Sequence, residues 1–173
     1  MTSEPTAVDR GNGLSLLSFL PRPIREPRRP AVALAAAWLT TYLPSIALAA
    51  IVGLLMPEST QPKFDVSGPV AVFLLAVLAP LIETLIMGAV LLVLLRFASP
   101  SIAVILSSLG WGIAHSTAVP IWGLVIWWPF LIFSTLFVVW RSRSLAAAFA
   151  MPTIAHGLHN LPSALVLAAG IKL

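Results

Sequence analysis

Residues 69–95 read PVAVFLLAVLAPLIETLIMGAVLLVLL. This stretch exceeds the roughly 20 apolar residues that a transmembrane helix needs. It contains one ionisable side chain, that of Glu83, and one internal proline, Pro80. An ionisable group at membrane depth costs roughly 2.5–3.5 kcal/mol on insertion scales. The stretch therefore predicts a membrane-spanning helix in which Glu83 has a functional role.

The distribution of the other ionisable residues supports a functional role for Glu83. The remaining carboxylates lie in the polar N-terminal stretch or in one connector, and they belong to Glu4, Asp9, Glu26, Glu58 and Asp65. All three histidines, by contrast, lie in apolar segments: His115, His156 and His159. A buried acid together with buried imidazoles is typical of proton chemistry within the membrane.

The composition excludes several classes of protein. The chain has 173 residues, of which 59% are hydrophobic and only 9% are charged. A soluble domain of this size could not cover its surface with so little charge. The absence of cysteine excludes disulfides and thiolate metal sites. The net charge of +4 does not indicate nucleic-acid binding, because no basic patch is interleaved with surface aromatics.

The hydropathy pattern predicts an all-α, polytopic transmembrane helical bundle with about five spans. The predicted spans are residues 31–56, 69–95, 100–118, 121–140 and 145–170. Residues 1–30 are predicted to form a basic, proline-rich cytosolic tail with at most an interfacial turn, and residues 31–173 a single transmembrane domain. The prolines inside the spans mark possible kinks or breaks: Pro44, Pro80, Pro129, Pro152 and Pro162.

The positions of the basic residues predict the orientation of the spans. A cytoplasmic N-terminus places the five arginines of the tail, Arg96, Arg141 and Arg143 on the inside. Lys63 and Lys172 then remain outside. This asymmetry follows the positive-inside rule and predicts a multi-pass protein of the cell (inner) membrane.

Depth within the predicted spans brings four polar side chains to one level. At 1.5 Å per residue, Glu83, His115 and Asn160 lie roughly 20–22 Å from the cytoplasmic edge, and His156 roughly 17 Å. His156 and Asn160 are spaced i, i+4 and share a helix face. A single intramembrane histidine or asparagine is often only an interhelical hydrogen-bonder. The coincidence of four polar groups at one depth favours a site.

The order and spacing of these residues resemble the CPBP family of glutamic intramembrane proteases, which includes the type II CAAX-prenyl endopeptidases and the bacterial abortive-infection proteins. The resemblance covers about residues 69–170. The first family motif, Glu-Glu-x-x-x-Arg, corresponds to PLIETLIMG at residues 80–88. The second, Phe-x-x-x-His, corresponds to WGIAH at 111–115, and the third, His-x-x-x-Asn, to HGLHN at 156–160.

The resemblance implies an intramembrane endopeptidase that cleaves a membrane-associated or secreted peptide or protein. Glu83 would be the general base, and His115 would help it to hold the attacking water. His156 and Asn160 would stabilise the oxyanion of the tetrahedral intermediate. His159 lies outside the motif positions. No cofactor is implied, and the expected partners are a peptide or membrane-protein substrate and the lipid bilayer.

Two departures from the family motif keep other functions open. Thr84 stands in place of the second glutamate and Gly88 in place of the arginine, so the ion pair that braces the family's first motif is absent. The alternatives are a catalytically inactive relative that acts as a membrane binding or bacteriocin-immunity protein, and a small proton-coupled carrier. The absence of an internal repeat counts against a carrier. A zinc site formed by Glu83, His115 and His156 is chemically possible but less favoured, because the three ligands come from three helices without an HExxH pair.

Overall fold

The computed structural model of the chain describes residues 13–55 and 66–171. All regular secondary structure in these residues is helical. After a short 3₁₀ turn at Ser15–Leu17, the helices are α1 (Arg22–Arg25), α2 (Pro30–Leu55), α3 (Gly68–Leu94), α4 (Pro100–Ser116), α5 (Trp122–Trp140) and α6 (Leu145–Ala168). The predicted all-α bundle is confirmed. Residues 1–12 of the predicted tail, most of the first connector (residues 56–65) and residues 172–173 lie outside the described ranges.

The five long helices coincide with the five predicted spans to within two residues at their described ends. Three of them, α2, α3 and α5, are long and apolar enough to cross a membrane. The two others, α4 and α6, are the helices that carry the histidines. The chain is therefore a membrane protein, and its three histidines lie on its two less apolar long helices.

Helix α5 lies at the centre of the bundle. In its most apolar window 67% of the residues are buried, against 11% in α2 and 22% in α3. It packs against α4 and α6 most extensively and also against α2 and α3. A buried hydrogen bond of 3.1 Å from Ser134 Oγ to Ser107 Oγ joins it to α4. The helices around α5 expose large apolar side chains on their outer faces, as lipid contact requires.

The N-terminal segment 13–29 covers one end of the bundle. Its apolar side chains enter the core and are at most 2% exposed: Leu14, Leu17, Leu20 and Ile24. The Gly13 carbonyl accepts hydrogen bonds from the backbone and the hydroxyl of Ser101, and Arg143 Nε donates to the Pro27 carbonyl. The segment thus joins the start of α4 to the turn after α5. It brings its own four arginines to the end that also holds Arg141 and Arg143. The packing of this segment against the bundle was not predicted from the sequence.

Helix α3 is irregular just before Glu83. Residues Leu74–Leu78 form a π-helical turn, in which the Ala79 N–H donates to the Leu74 carbonyl. Pro80 follows and has no N–H to donate to the turn before it. Single π-helical turns inside helices are frequently found at functional sites. The predicted break at Pro80 is therefore a local widening of a continuous helix.

Candidate active site

The site is built around Glu83 and His156, which α3 and α6 bring together. His156 Nε2 lies 3.9 Å from Glu83 Oε2. The Glu83 side chain is 27% exposed and that of His156 is 6% exposed. The separation is too long for a direct hydrogen bond, but it fits an ion pair or two groups that share a bound oxygen atom.

Two phenylalanines of α5 hold the His156 ring. Phe133 stacks on the imidazole with a centroid distance of 4.7 Å, and Phe130 meets it edge-on at 5.4 Å. Among the described residues, His156 Nδ1 is buried and has no hydrogen-bond partner. The position of the ring is therefore determined by aromatic packing, which leaves Nε2 directed toward Glu83.

His115 shares the Phe130 ring with His156. The centroid of its imidazole lies 5.8 Å from that of Phe130, and Trp111, one turn earlier on α4, stacks on the same Phe130 ring at 4.4 Å. His115 Nδ1 is 2.9 Å from the Trp111 carbonyl oxygen. Because a carbonyl only accepts, this bond assigns the hydrogen to Nδ1 and leaves a lone pair on Nε2 of the neutral ring. His115 can thus accept a proton or a hydrogen bond at Nε2.

Asn160 lies one turn beyond His156 and links α6 to α3. Its Nδ2 donates to the Leu75 carbonyl over 3.0 Å. In the π-helical turn the Ala79 N–H is bonded to Leu74, and Pro80 has none, so the regular helical donors to Leu75 are missing. Asn160 therefore satisfies a carbonyl that the irregular turn leaves free, two turns before Glu83.

The close approach of α6 to this turn requires a glycine. A Cβ atom at Gly157 would lie 2.6 Å from the Ala76 carbonyl oxygen. No side chain fits there without moving one helix away from the other. The residue beside His156 thus sets the distance between the histidine helix and the glutamate helix.

His159 lies on the side of α6 that faces α2. Its ring contacts Tyr42 at 6.1 Å and Phe133 at 6.0 Å, both edge-on. Its Nδ1 atom is buried without a hydrogen-bond partner in the described part of the chain. Phe133 contacts both His156 and His159, so His159 lies next to the site on the side of α2.

The two positions that depart from the family motif are closely packed. The Thr84 side chain is 1% exposed, and its hydroxyl has no hydrogen-bond partner among the described residues. A Cβ atom at Gly88 would collide with the rings of Phe137 and Phe149. These rings fill the space that a longer side chain at position 88 would need. Where the family motif has an arginine, this chain therefore has a glycine that is enclosed by aromatic rings.

Of the four residues predicted for the site, the structure brings Glu83 and His156 together directly, places His115 on the Phe130 ring beside His156, and bonds Asn160 to the Leu75 carbonyl. The groups that hold these side chains were not predicted from the sequence. Phe130 and Phe133 are two of many apolar residues in α5 and have no distinguishing sequence signal. The Leu75 carbonyl is a backbone group, and its only signal is the proline that follows. Within residues 13–55 and 66–171, no three His, Asp or Glu side chains are placed to hold a metal ion.

Comparison with known proteins yields one match. Residues 65–162, more than half of the chain, match the model of a family described as Rce1-like, type II CAAX prenyl endopeptidase. The matched stretch includes Glu83, His115, His156 and Asn160. No curated protein and no solved structure matches the chain.

Proposed function

This chain belongs to the Rce1-like family of type II CAAX prenyl endopeptidases, and from that premise we propose that it is an intramembrane endopeptidase of the glutamic type. The observation that carries the proposal is the placement of Glu83 beside His156, next to an aromatic cluster that also contacts His115. A carboxylate and two imidazoles in a low-dielectric setting are suited to proton transfer.

In the proposed reaction Glu83 and His115 activate a water molecule. The water donates a hydrogen bond to the Nε2 lone pair of His115 and transfers a proton to the Glu83 carboxylate. Its oxygen attacks the carbonyl carbon of the scissile peptide bond. The tetrahedral intermediate then collapses, the carbon–nitrogen bond breaks, and Glu83 returns the proton to the leaving amine. The products are a carboxylic acid, which keeps the oxygen and the second hydrogen of the water, and an amine.

His156 and Asn160 are proposed to stabilise the oxyanion. Asn160 has two amide hydrogens, and the bond to Leu75 uses one of them. The second, together with an N–H at Nε2 of His156, would donate to the negatively charged oxygen of the intermediate. Preorganised donors of this kind contribute about 10²–10³ in rate each. No metal takes part in the proposed reaction.

The proposed setting is the cell (inner) membrane, and the proposed substrate is a peptide or a membrane protein. The matched family is described as a type II CAAX prenyl endopeptidase. A farnesylated CAAX peptide is therefore the first probe. The same peptide without the prenyl group, and an apolar peptide without the CAAX end, are the second and third.

The test is cleavage by the purified protein in lipid vesicles, followed by mass spectrometry. Glu83→Gln is the decisive variant, because the amide keeps the size and hydrogen bonding of the side chain but cannot take a proton. We expect the parent protein to cut at least one probe and Glu83→Gln to cut none while eluting as the parent does. Retained cleavage by Glu83→Gln would exclude the glutamate mechanism.

The departures from the first family motif favour a second function, that of a catalytically inactive relative. Thr84 and Gly88 replace the charged pair of the family, and both are buried. A catalytically inactive relative that binds a membrane peptide or confers bacteriocin immunity would keep the fold without this pair. This function predicts that the parent protein cuts none of the probes and that Glu83→Gln binds them as the parent does. Accumulation of an unprocessed membrane peptide in a deletion strain would argue against it.

A further inference from the structure

Pro162 leaves a backbone carbonyl of α6 without its regular donor. In a regular helix the Leu158 carbonyl accepts from the N–H of residue 162, and proline has no N–H. The indole Nε1 of Trp38, on α2, donates to this carbonyl over 3.0 Å. Within a membrane no water is present to donate to such a carbonyl, so the indole replaces the missing helical hydrogen bond.

The same arrangement occurs at a second proline. Pro44 leaves the Thr40 carbonyl of α2 without a helical donor, and Trp128 Nε1, on α5, donates to it over 2.7 Å. The two indole-to-carbonyl hydrogen bonds connect α5 to α2 and α2 to α6. The bond from Asn160 to Leu75 continues the series from α6 to α3. Three carbonyls at prolines thus act as interhelical acceptors.

We propose that Trp38 is a positioning residue of the active site, acting through its hydrogen bond to the Leu158 carbonyl. Leu158 is two residues beyond His156 and two before Asn160 on the same helix. Trp38 also stacks on Tyr42 at 5.3 Å, and Tyr42 contacts His159, so the indole fixes both the rotation and the height of α6. Trp38 lies outside residues 65–162, and no family motif assigns it a role. The inference rests on the proposed function.

The experiment crosses two tryptophan variants with two proline variants. Trp38→Phe removes the N–H and keeps an aromatic ring, and Pro162→Ala supplies a backbone N–H to Leu158. Trp128→Phe and Pro44→Ala are the matched pair at Thr40. All four single variants, and the four tryptophan–proline combinations, are compared with the parent for cleavage and for thermal unfolding in the same vesicles.

We expect Trp38→Phe to lower kcat by about tenfold to 10²-fold, with little change in KM, because displacement of about 1 Å at a catalytic group has effects of that size. Pro162→Ala should raise the unfolding temperature of Trp38→Phe, because the Leu158 carbonyl regains a helical donor, but it should not restore kcat, because a bond within α6 does not connect α6 to α2. Pro44→Ala should do neither. At the matched site, Pro44→Ala should raise the unfolding temperature of Trp128→Phe, and Pro162→Ala should not. Pro162→Ala alone should behave as the parent does.

Two results would overturn the inference. If Trp38→Phe cleaves as the parent does, the hydrogen bond does not position the site. If Pro162→Ala leaves the unfolding temperature of Trp38→Phe unrestored, or restores its kcat as well, the hydrogen bond that connects α6 to α2 is not what sets the rate. Should the parent cleave no probe, the proposed function fails by itself, and the crossed unfolding temperatures together with hydrogen exchange of the Trp38 indole still decide whether the bond exists.

Discussion

His156 Nε2 lies 3.9 Å from Glu83 Oε2, although the two residues belong to the last and the second of the five long helices. The contact depends on Gly157, which allows α6 to approach the π-helical turn of α3. It depends also on Phe133, which stacks on the imidazole. The two central polar groups of the site are thus positioned by one glycine and one aromatic ring, and neither of these takes part in the proposed reaction.

The two histidines of α6 are predicted to differ in importance. His156→Ala should lower the rate of cleavage by about 10²–10³, the usual loss for one oxyanion donor. His159→Ala should lower it far less, because His159 faces Tyr42 and α2. The measurement is kcat for both variants on the same peptide, with elution volume as the control for folding. Equal loss in both would show that the His-x-x-x-Asn assignment on this helix is wrong, or that both imidazoles serve the site.

The positions of the long helices could be predicted because each is a long apolar run between charged or proline-rich connectors. The four polar residues could be singled out because an ionisable or amide group is rare at membrane depth. Their mutual placement depends on contacts with apolar side chains, which have no distinguishing pattern in the sequence. Phe130 is one of many apolar residues in α5, yet its ring touches both His115 and His156.

The N-terminal segment shows a second reason why prediction was incomplete. Leu14, Leu17 and Leu20 are separated by serine, leucine and phenylalanine in a run too short to span a membrane, so a hydropathy window assigns the segment to a tail. Its burial arises from tertiary packing against the start of α4, which only the folded bundle supplies. Hydrogen bonds to the carbonyls near prolines could not be predicted from the sequence either, because every residue has a backbone carbonyl and the sequence does not show which donor will reach it.

The orientation of the bundle can be measured with single cysteines, since the chain has none of its own. Ser142 lies at the arginine-rich end, and Ile171 follows the end of α6; both are exposed. By the positive-inside rule, a membrane-impermeant maleimide added to intact cells should label Ile171→Cys and leave Ser142→Cys unlabelled. Labelling of both after detergent treatment is the control. The opposite pattern would place the N-terminus outside.

Chelators are predicted to leave cleavage unchanged. If Glu83 and His115 activate water without a metal, treatment with EDTA or phenanthroline removes nothing that the reaction needs. A bound zinc ion would act by lowering the pKa of its water to about 7, and chelation would abolish that effect. The measurement is kcat before and after chelation, together with the metal content of the purified protein. Loss of activity that zinc alone restores would assign Glu83, His115 and His156 as ligands and replace the proposed mechanism.

The packing around Gly88 provides a prediction about stability. A Cβ atom at this position would meet the rings of Phe137 and Phe149, which themselves pack edge to face at 5.0 Å. Neither ring can move without disturbing the other, so Gly88→Ala should lower the free energy of unfolding by about 1–3 kcal/mol, the usual cost of overpacking.

Gly110→Ala is the matched control, because a Cβ atom there meets nothing within 4 Å and alanine is the better helix former. It should leave stability unchanged or raise it slightly. Both variants are compared by denaturant titration in the same detergent. A Gly88→Ala protein as stable as Gly110→Ala would mean that the rings yield easily. Position 88 could then accept a larger side chain. Aromatic packing would not explain why this chain lacks the arginine of the family motif.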